Sequence, residues 1–414
     1  MRWPWIATIV VAMMVCGSAM AAEPAARPAE KVDMAEFVDG INAFGLRMYG
    51  QLSGEKGNVF FSPLSLHAAL SMTSVGAKGE THAEMAKTLG LPTGEADAVG
   101  GAYAAFFERL FKDAARISTQ ELSIANGLWV SKQARLVEGF ATVMQRDFQS
   151  ESSTVDFSKP AEAVKLVNGW VAKRTKDRIQ DILAPDALTR DTMLVLANAL
   201  YFKNAWAEEF SKNRTADGDF KLGGGKTGKA KMMFRQSEYD YAETDDAQVL
   251  SMPYMGHRFS MVFVLPKQDD GLAELEKKLS PDTLTAWTNF TSSDVRVTLP
   301  RFTVTRDFQA RKPLEALGMK RAFVGGKNGA DFSGMVADEP VWIGFVVHKA
   351  FVAVDEVGTE AAAATVIGIV RGAAPLEPDE PKEFNADHPF LFMIRHNPIG
   401  TVLFMGRLAD PSSE

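Results

Sequence analysis

The sequence predicts an α+β fold in one large domain. Three observations lead there. Apolar residues recur at helical spacing through most of the first 175 positions, short strands dominate from Thr192 onward, and neither a repeat nor a linker divides the chain. The composition, 46% hydrophobic and 23% charged over 414 residues, is that of an ordinary globular protein. A net charge of −7 argues against nucleic acid as a partner.

The first residues stand apart from the fold. Arg2 gives a positive start, residues 6–15 are apolar, and Ala19-Met-Ala21 is a small-residue cleavage site. This predicts a signal peptide over 1–21, cut after Ala21, and an exported protein, secreted or periplasmic. The apolar run is too short for a membrane span. Cys16 opens a lipoprotein alternative, but Val15 stands where bacterial lipid attachment needs Gly or Ala. As Cys16 is the only cysteine, the mature chain has no disulfide and rests on packing alone. Residues 22–33 read as a flexible lead-in, and 34–414 as a single domain.

Within that domain, Phe37, Ile41, Phe44 and Met48 fall on one face of a helix over 33–52. Pro63 marks the start of a helix through 64–75. Another begins near Thr81, a capping residue with Glu84 three positions on. Helices are also expected at 101–112, 137–148 and 164–175, with a strand at 122–130. Residues 192–202 are nearly all apolar, as in a strand buried on both faces. Further strands are expected at 229–234, 247–254, 259–265, 295–302 and 341–354. Strands at 390–396 and 401–407 are joined by the turn Asn397-Pro-Ile-Gly400.

Enzymatic signatures are weak. Gly223-Gly-Gly-Lys-Thr-Gly228-Lys229-Ala230 nearly matches a phosphate loop, but it lacks the Ser/Thr that holds magnesium and no buried strand precedes it; a hairpin turn is the better reading. The six histidines show no metal spacing, and neither His-Glu-x-x-His nor Gly-x-Ser-x-Gly occurs. A triad assembled from distant residues stays open in principle. No cofactor or metal is expected.

The most informative stretch is Glu356-Val-Gly-Thr-Glu-Ala-Ala-Ala-Ala-Thr365, after the strand and before Val366-Ile-Gly-Ile-Val-Arg-Gly372 and a proline-rich run to Glu383. Four alanines favour helix, whereas the threonines and the β-branched residues that follow favour strand, a conflict typical of functional sites. Read as a strand, Thr359, Ala361, Ala363, Thr365, Ile367 and Ile369 share one side, small residues first. Gly358 supplies a hinge free of the Cβ penalty.

This stretch resembles the hinge and reactive loop of a serpin, and the likeness extends over most of the mature chain. It is carried by Asn58-Val-Phe-Phe-Ser-Pro-Leu-Ser-Leu, Gly76-Ala-Lys-Gly-Glu-Thr, Leu122-Ser-Ile-Ala-Asn-Gly-Leu-Trp-Val and Leu196-Ala-Asn-Ala-Leu-Tyr-Phe-Lys-Asn-Ala-Trp206. Leu299-Pro-Arg-Phe, Ala330-Asp-Phe-Ser-Gly-Met, His348-Lys-Ala-Phe and Ala386-Asp-His-Pro-Phe-Leu-Phe-Met-Ile-Arg-His-Asn-Pro add to it. The resemblance implies the serpin fold, with three β-sheets, about nine helices and an exposed reactive loop near 356–383. It implies a monomeric, exported inhibitor, read here as prokaryotic, that is no enzyme and forms a covalent acyl complex with a target serine protease. Ser62, Ser65, Asn198 and His348 match the polar cluster beneath the point where the main sheet opens, and Trp206 the aromatic above it. The hinge comprises Glu356, Gly358, Thr359, Glu360, Ala361, Ala362, Ala363, Ala364 and Thr365. Arg301 and Glu356 match a family ion pair, expected at the surface and worth about 0–1 kcal/mol. Asn204 and Val357 depart from the usual glycine and charged residue.

Family spacing from Thr359 puts the scissile bond after Gly372, which offers a protease pocket nothing to grip. One residue shorter makes it Arg371-Gly372, whose guanidinium suits a trypsin-like pocket; Val370-Arg371, with an elastase-like target, is next. Subtilisin-like or cysteine proteases, and a non-inhibitory role as chaperone or carrier, are the alternatives. Non-inhibitory members usually carry bulky or charged residues where this chain has four alanines.

Overall fold

The computed structural model describes residues 33–91, 96–360 and 380–413. The expected leader, all of the lead-in before Asp33, and residues 361–379 of the loop lie outside them. The described residues fall in one compact unit, Val32–Glu414.

Helix α1 (Met34–Leu52) starts where the Asp33 carboxylate accepts a hydrogen bond from the Ala35 N–H at 2.9 Å, and it buries Phe37, Ile41, Phe44 and Met48. β1 (Val59–Phe61) leads into α2 (Pro63–Ser74), where the Ser62 hydroxyl accepts from the Ser65 N–H at 3.1 Å. All of α2 is buried, polar residues included, because it packs against β-strands of both sheets described below. α3 (Gly79–Leu89) begins two residues before the expected Thr81. Thr81 and Glu84 do not cap it: Thr81 Oγ1 accepts from the Asp331 N–H at 2.9 Å, and Glu84 from the N–H groups of Lys320 and Arg321. α4 (Ala96–Ala114), β2 (Glu121–Ser131), α5 (Glu138–Phe148), β3 (Glu151–Val155), α6 (Pro160–Arg174) and β4 (Leu194–Ala205) follow.

β4 is buried on both faces. Leu194, Leu196, Leu200 and Phe202 enter the main core, while Val195, Ala197 and Ala199 meet a second cluster with Val164, Val167 and Val171 of α6. An uninterrupted apolar strand is what two covered faces require.

The later half is strand-rich: β5 (Ala216–Gly223), β6 (Lys226–Glu243), β7 (Ala247–Pro253) and β8 (Phe259–Pro266), then α7 (Leu272–Lys277), α8 (Pro281–Trp287), β9 (Thr291–Pro300), β10 (Phe302–Gln309) and α9 (Arg311–Ala316). β11 (Phe345–Val354), β12 (Gly358–Thr359), β13 (Lys382–Asn385), β14 (Phe390–His396) and β15 (Thr401–Leu408) complete it. The glycine-rich run is the turn of the β5–β6 hairpin, with Gly223, Gly224 and Gly225 at φ of 81°, 58° and 74°, a region that favours glycine. The strand expected over 295–302 is two, broken at Arg301, whose N–H turns to the Lys231 carbonyl at 2.8 Å. The strand expected from Val341 starts at Phe345, because the Ile343 N–H is drawn to Ala322 at 2.9 Å instead of a ladder.

Nine strands join in the order β1-β15-β14-β8-β7-β6-β9-β13, with β5 also on β6. β6 changes neighbours along its length: its first residues face β5 and Asp240–Glu243 face β7, so two smaller sheets are continuous through one strand. The other sheet runs β10-β11-β12-β4-β2-β3, and nine α-helices surround the two networks among the described residues. None of these helices is long and apolar enough to cross a membrane.

Candidate functional site

The six-stranded sheet has a fork at its centre. β11 and β4 pair directly, in parallel, from Phe345↔Val195 to His348↔Asn198. Beyond that pair they part, and among the described residues only β12 lies between them, at the far end.

A tight turn makes β12. After Val354 the Asp355 carboxylate accepts from the N–H groups of Val357 (2.8 Å) and Gly358 (3.2 Å), and the Asp355 N–H bonds the Gly358 carbonyl at 3.0 Å. The chain then returns antiparallel to both neighbours, Thr359 opposite Val354 on one side and Asn204 on the other, Gly358 opposite Ala205. Gly358 has a steric reason beyond hinge freedom: a Cβ there would sit 2.2 Å from the Asn204 carbonyl oxygen and 2.7 Å from the Ala205 Cα. Thr359 is 1% exposed, with its hydroxyl 2.6 Å from the Tyr254 hydroxyl. Trp206 stacks on Tyr254 at 4.6 Å; its ring N–H donates to the Asp355 carbonyl (3.0 Å) and its backbone N–H to that of Val357 (2.8 Å). The ring thus braces the turn from below.

Glu356 corrects an expectation. Its carboxylate was expected in a surface pair, yet Glu356 is only 1% exposed. Arg301 Nε donates to it at 2.8 Å and the Thr215 hydroxyl at 2.5 Å. Burial pushes the carboxyl up, but Arg301 and Thr215 together hold it below the usual range. The backbone folds over it, since the Phe210 N–H bonds the Glu356 carbonyl at 2.9 Å, and sequence spacing carries no trace of that.

The polar cluster lies at the fork itself. His348 Nε2 accepts from the Ser62 N–H at 2.9 Å, so the ring proton sits on Nδ1 and points to Asn198 Oδ1, 3.1 Å away. Ser65 Oγ donates to the same oxygen, and the Ser62 hydroxyl donates to the Leu403 carbonyl at 2.6 Å. Asn126 of β2 also belongs: its Oδ1 accepts from Asn198 Nδ2, and its own Nδ2 is buried without a partner. Sequence reading passed over Asn126, though it offers the signal Asn198 does, a lone amide in an apolar strand. Ser62, Ser65, Asn198 and His348 are thus together, while Trp206 lies apart from them at the other end of the gap. Ala361, Ala362, Ala363, Ala364, Thr365, Arg371 and Gly372 lie outside the described residues. Among those described, Asp269, Asp387 and His388 bring metal-type donors together, but the Lys221 ammonium already lies 2.9 Å from Asp269.

Burial holds the His348 imidazole neutral, its pKa down at about 3, and does the same to His67 of α2, down to about 4. Free in an unfolded chain, each titrates near 6.5. The folded values are depressed, so this stability is complete above about pH 6.5 and is lost as pH falls toward the folded values. By pH 5 each group costs the native state about 2 kcal/mol. The urea midpoint is therefore expected to drop steeply between pH 7.5 and 5; a flat profile would contradict the neutral, buried assignment.

Comparison with known proteins agrees with this geometry. A family model described as Serpin (serine protease inhibitor) matches residues 39–411. Leukocyte elastase inhibitor A of Rattus norvegicus is 38% identical over 380 residues, 89% of this chain and 97% of that protein. An uncharacterized serpin-like protein of Thermococcus kodakarensis is 38% identical over 376 residues, 90% of this chain and 85% of its own. Among solved structures, Serpin48 of the insect Tenebrio molitor superposes with a TM-score of 0.80 at 32% identity, covering 91% of this chain and 98% of that one. Two of these three relatives are animal proteins, so together they do not bear out the expectation of a prokaryotic source; neither they nor the described residues bear out export. The chain belongs to the serpin family of serine protease inhibitors, and inhibition of serine proteases, not catalysis of its own, is the activity that membership brings.

Proposed function

We propose that this serpin is a suicide inhibitor that traps a serine protease as its acyl-enzyme by inserting the cleaved reactive loop into the six-stranded sheet. One observation supports this above the others: past His348↔Asn198, the facing edges of β11 (349–353) and β4 (199–203) pair with no strand among the described residues, while β12 already occupies the head of the gap. Continuing the register of β12 sets Ala361 against Val352 and Phe202, and Thr365 against His348 and Asn198. The four alanines then fill the open gap, and Thr365 arrives at the cluster. Further entry must part the four parallel pairs below, and side chains that can exchange hydrogen-bond partners make that parting tolerable. The attacked carbonyl is that of Arg371, with Gly372 on the leaving side, which suits a trypsin-like protease.

The relatives named as leukocyte elastase inhibitors favour a second reading, cleavage at Val370-Arg371 by an elastase-type enzyme. One experiment separates the two. The chain is mixed with trypsin and with elastase, boiled in detergent, and the released carboxyl-terminal fragment sequenced. A covalent complex with a fragment starting at Gly372 supports the first reading, and one starting at Arg371 the second. Clean cleavage by both with no complex would leave a substrate, as for a non-inhibitory carrier. Export rests on the leader alone, and a secreted product beginning at Ala22 is its test; the inhibitor is read as a monomer.

A further inference from the structure

We propose that Arg178 is a positioning residue of the reactive loop, a catch that sets how deep the loop sits in the sheet before any protease arrives; the proposal rests on the insertion reading above. Strand addition by Gly358 and Thr359 stops at Glu360. Its N–H still bonds the Ala353 carbonyl at 3.1 Å, but its φ of 53° turns the chain off the ladder beyond that bond, a conformation that a non-glycine residue holds only with support. That support is on the outer face of the sheet: the Glu360 side chain is 3% exposed, and its carboxylate lies 3.1 Å from Arg178 Nε, on a side chain that is 55% exposed.

Arg178 belongs to the connection between α6 and β4, which spans the gap. The Ser123 hydroxyl of β2 donates to the Arg174 carbonyl at 3.2 Å, and Lys349 of β11 to the Gln180 carbonyl at 2.7 Å. The other groups facing Glu360 are Tyr201 and Lys203 of β4 and Glu121 of β2. Lys203 is engaged by Glu121 at 3.5 Å, and Lys176 is paired with Glu121 as well. Arg178 is therefore the cation in contact with a carboxyl whose protonation burial favours. For the loop to advance, Glu360, whose N–H already meets Ala353, must become extended and draw level with Lys203, which breaks the pair with Arg178. The catch keeps the head of the gap filled by the loop's own first residues and resists both withdrawal and further entry.

The test uses the intact full chain and an added twelve-residue peptide with the sequence of residues 359–370, which competes for the gap. Its uptake is followed as a gain in heat stability. Arg178→Ala and Glu360→Gln are each expected to take up the peptide about three- to five-fold faster than the unaltered chain, the range a partly exposed ion pair supports. Arg178→Lys, which keeps the cation, stays near the original rate, and the double variant is no faster than either single one. Equal rates in all forms, Arg178→Lys behaving as Arg178→Ala, or single effects that multiply in the double variant would each overturn the catch while leaving insertion standing. If no form takes up the peptide, insertion itself fails, and the catch with it. Glu360→Gln guards against misfolding, since it keeps the size and shape of the buried side chain while removing its charge.

Discussion

Thr359→Arg converts the inhibitor into a substrate. Thr359 is the first loop side chain to face the interior, 1% exposed and hydrogen-bonded to Tyr254 with Trp206 stacked beneath. An arginine there has to bring a guanidinium into that apolar corner, where Tyr254 and Trp206 offer no carboxylate. An unpaired buried charge costs several kcal/mol, and each 1.4 kcal/mol slows the step about tenfold. Thr359 is already seated at the head of the gap, whereas the arginine variant must fill that seat before the rest of the loop can follow, so the delay falls on the race against hydrolysis of the acyl-enzyme. Complex yield is expected to fall at least about tenfold while the loop is still cut. Thr359→Ser, which keeps the hydroxyl, should retain most of the yield. Densitometry of the detergent-stable band reads both variants, and an undiminished band for the arginine variant would mean that entry does not start at Thr359.

Much of this arrangement was legible in the sequence, for reasons that differ by element. β4 could be read from its unbroken apolar run because two covered faces leave no room for polar alternation. The β14–β15 hairpin announced itself through its turn. β3, β5 and β13 could not be read: Glu151–Val155 is mostly exposed, and Lys382–Asn385 buries only Phe384, so each is a strand by virtue of the edge it meets. α2 holds serines, a threonine and a histidine that look amphipathic on paper, yet both sheets enclose it. At the site, it was the resemblance that singled out His348 and Asn198 and drew them together with Ser62 and Ser65. β12 has two residues and no propensity of its own; it exists because Asp355 turns the chain back and Gly358 allows a carbonyl to approach. The burial of Glu356 and its contact with Thr215 likewise depend on distant segments folding over the turn.

The larger effect is thermodynamic. Residues 360–364 can add to β11 and β4 without breaking any pairing in the described sheet, and those from Thr365 onward exchange one parallel ladder for two antiparallel ones. About a dozen residues gaining ladder bonds at roughly 0.5–1.5 kcal/mol each release on the order of 10 kcal/mol. Ile367 and Ile369, on the same side as Thr359 by strand period, add about 1.5–3 kcal/mol apiece on burial. The intact molecule is then held above its most stable state by a barrier. For a domain of this size such a gain raises the melting temperature by about 10 °C or more. The decisive measurement is the melting temperature of the chain before and after its reactive loop is nicked by a protease that it does not trap. A cleaved form that melts well above the intact one is what insertion requires. Two forms that melt together would mean the freed strand never entered the sheet.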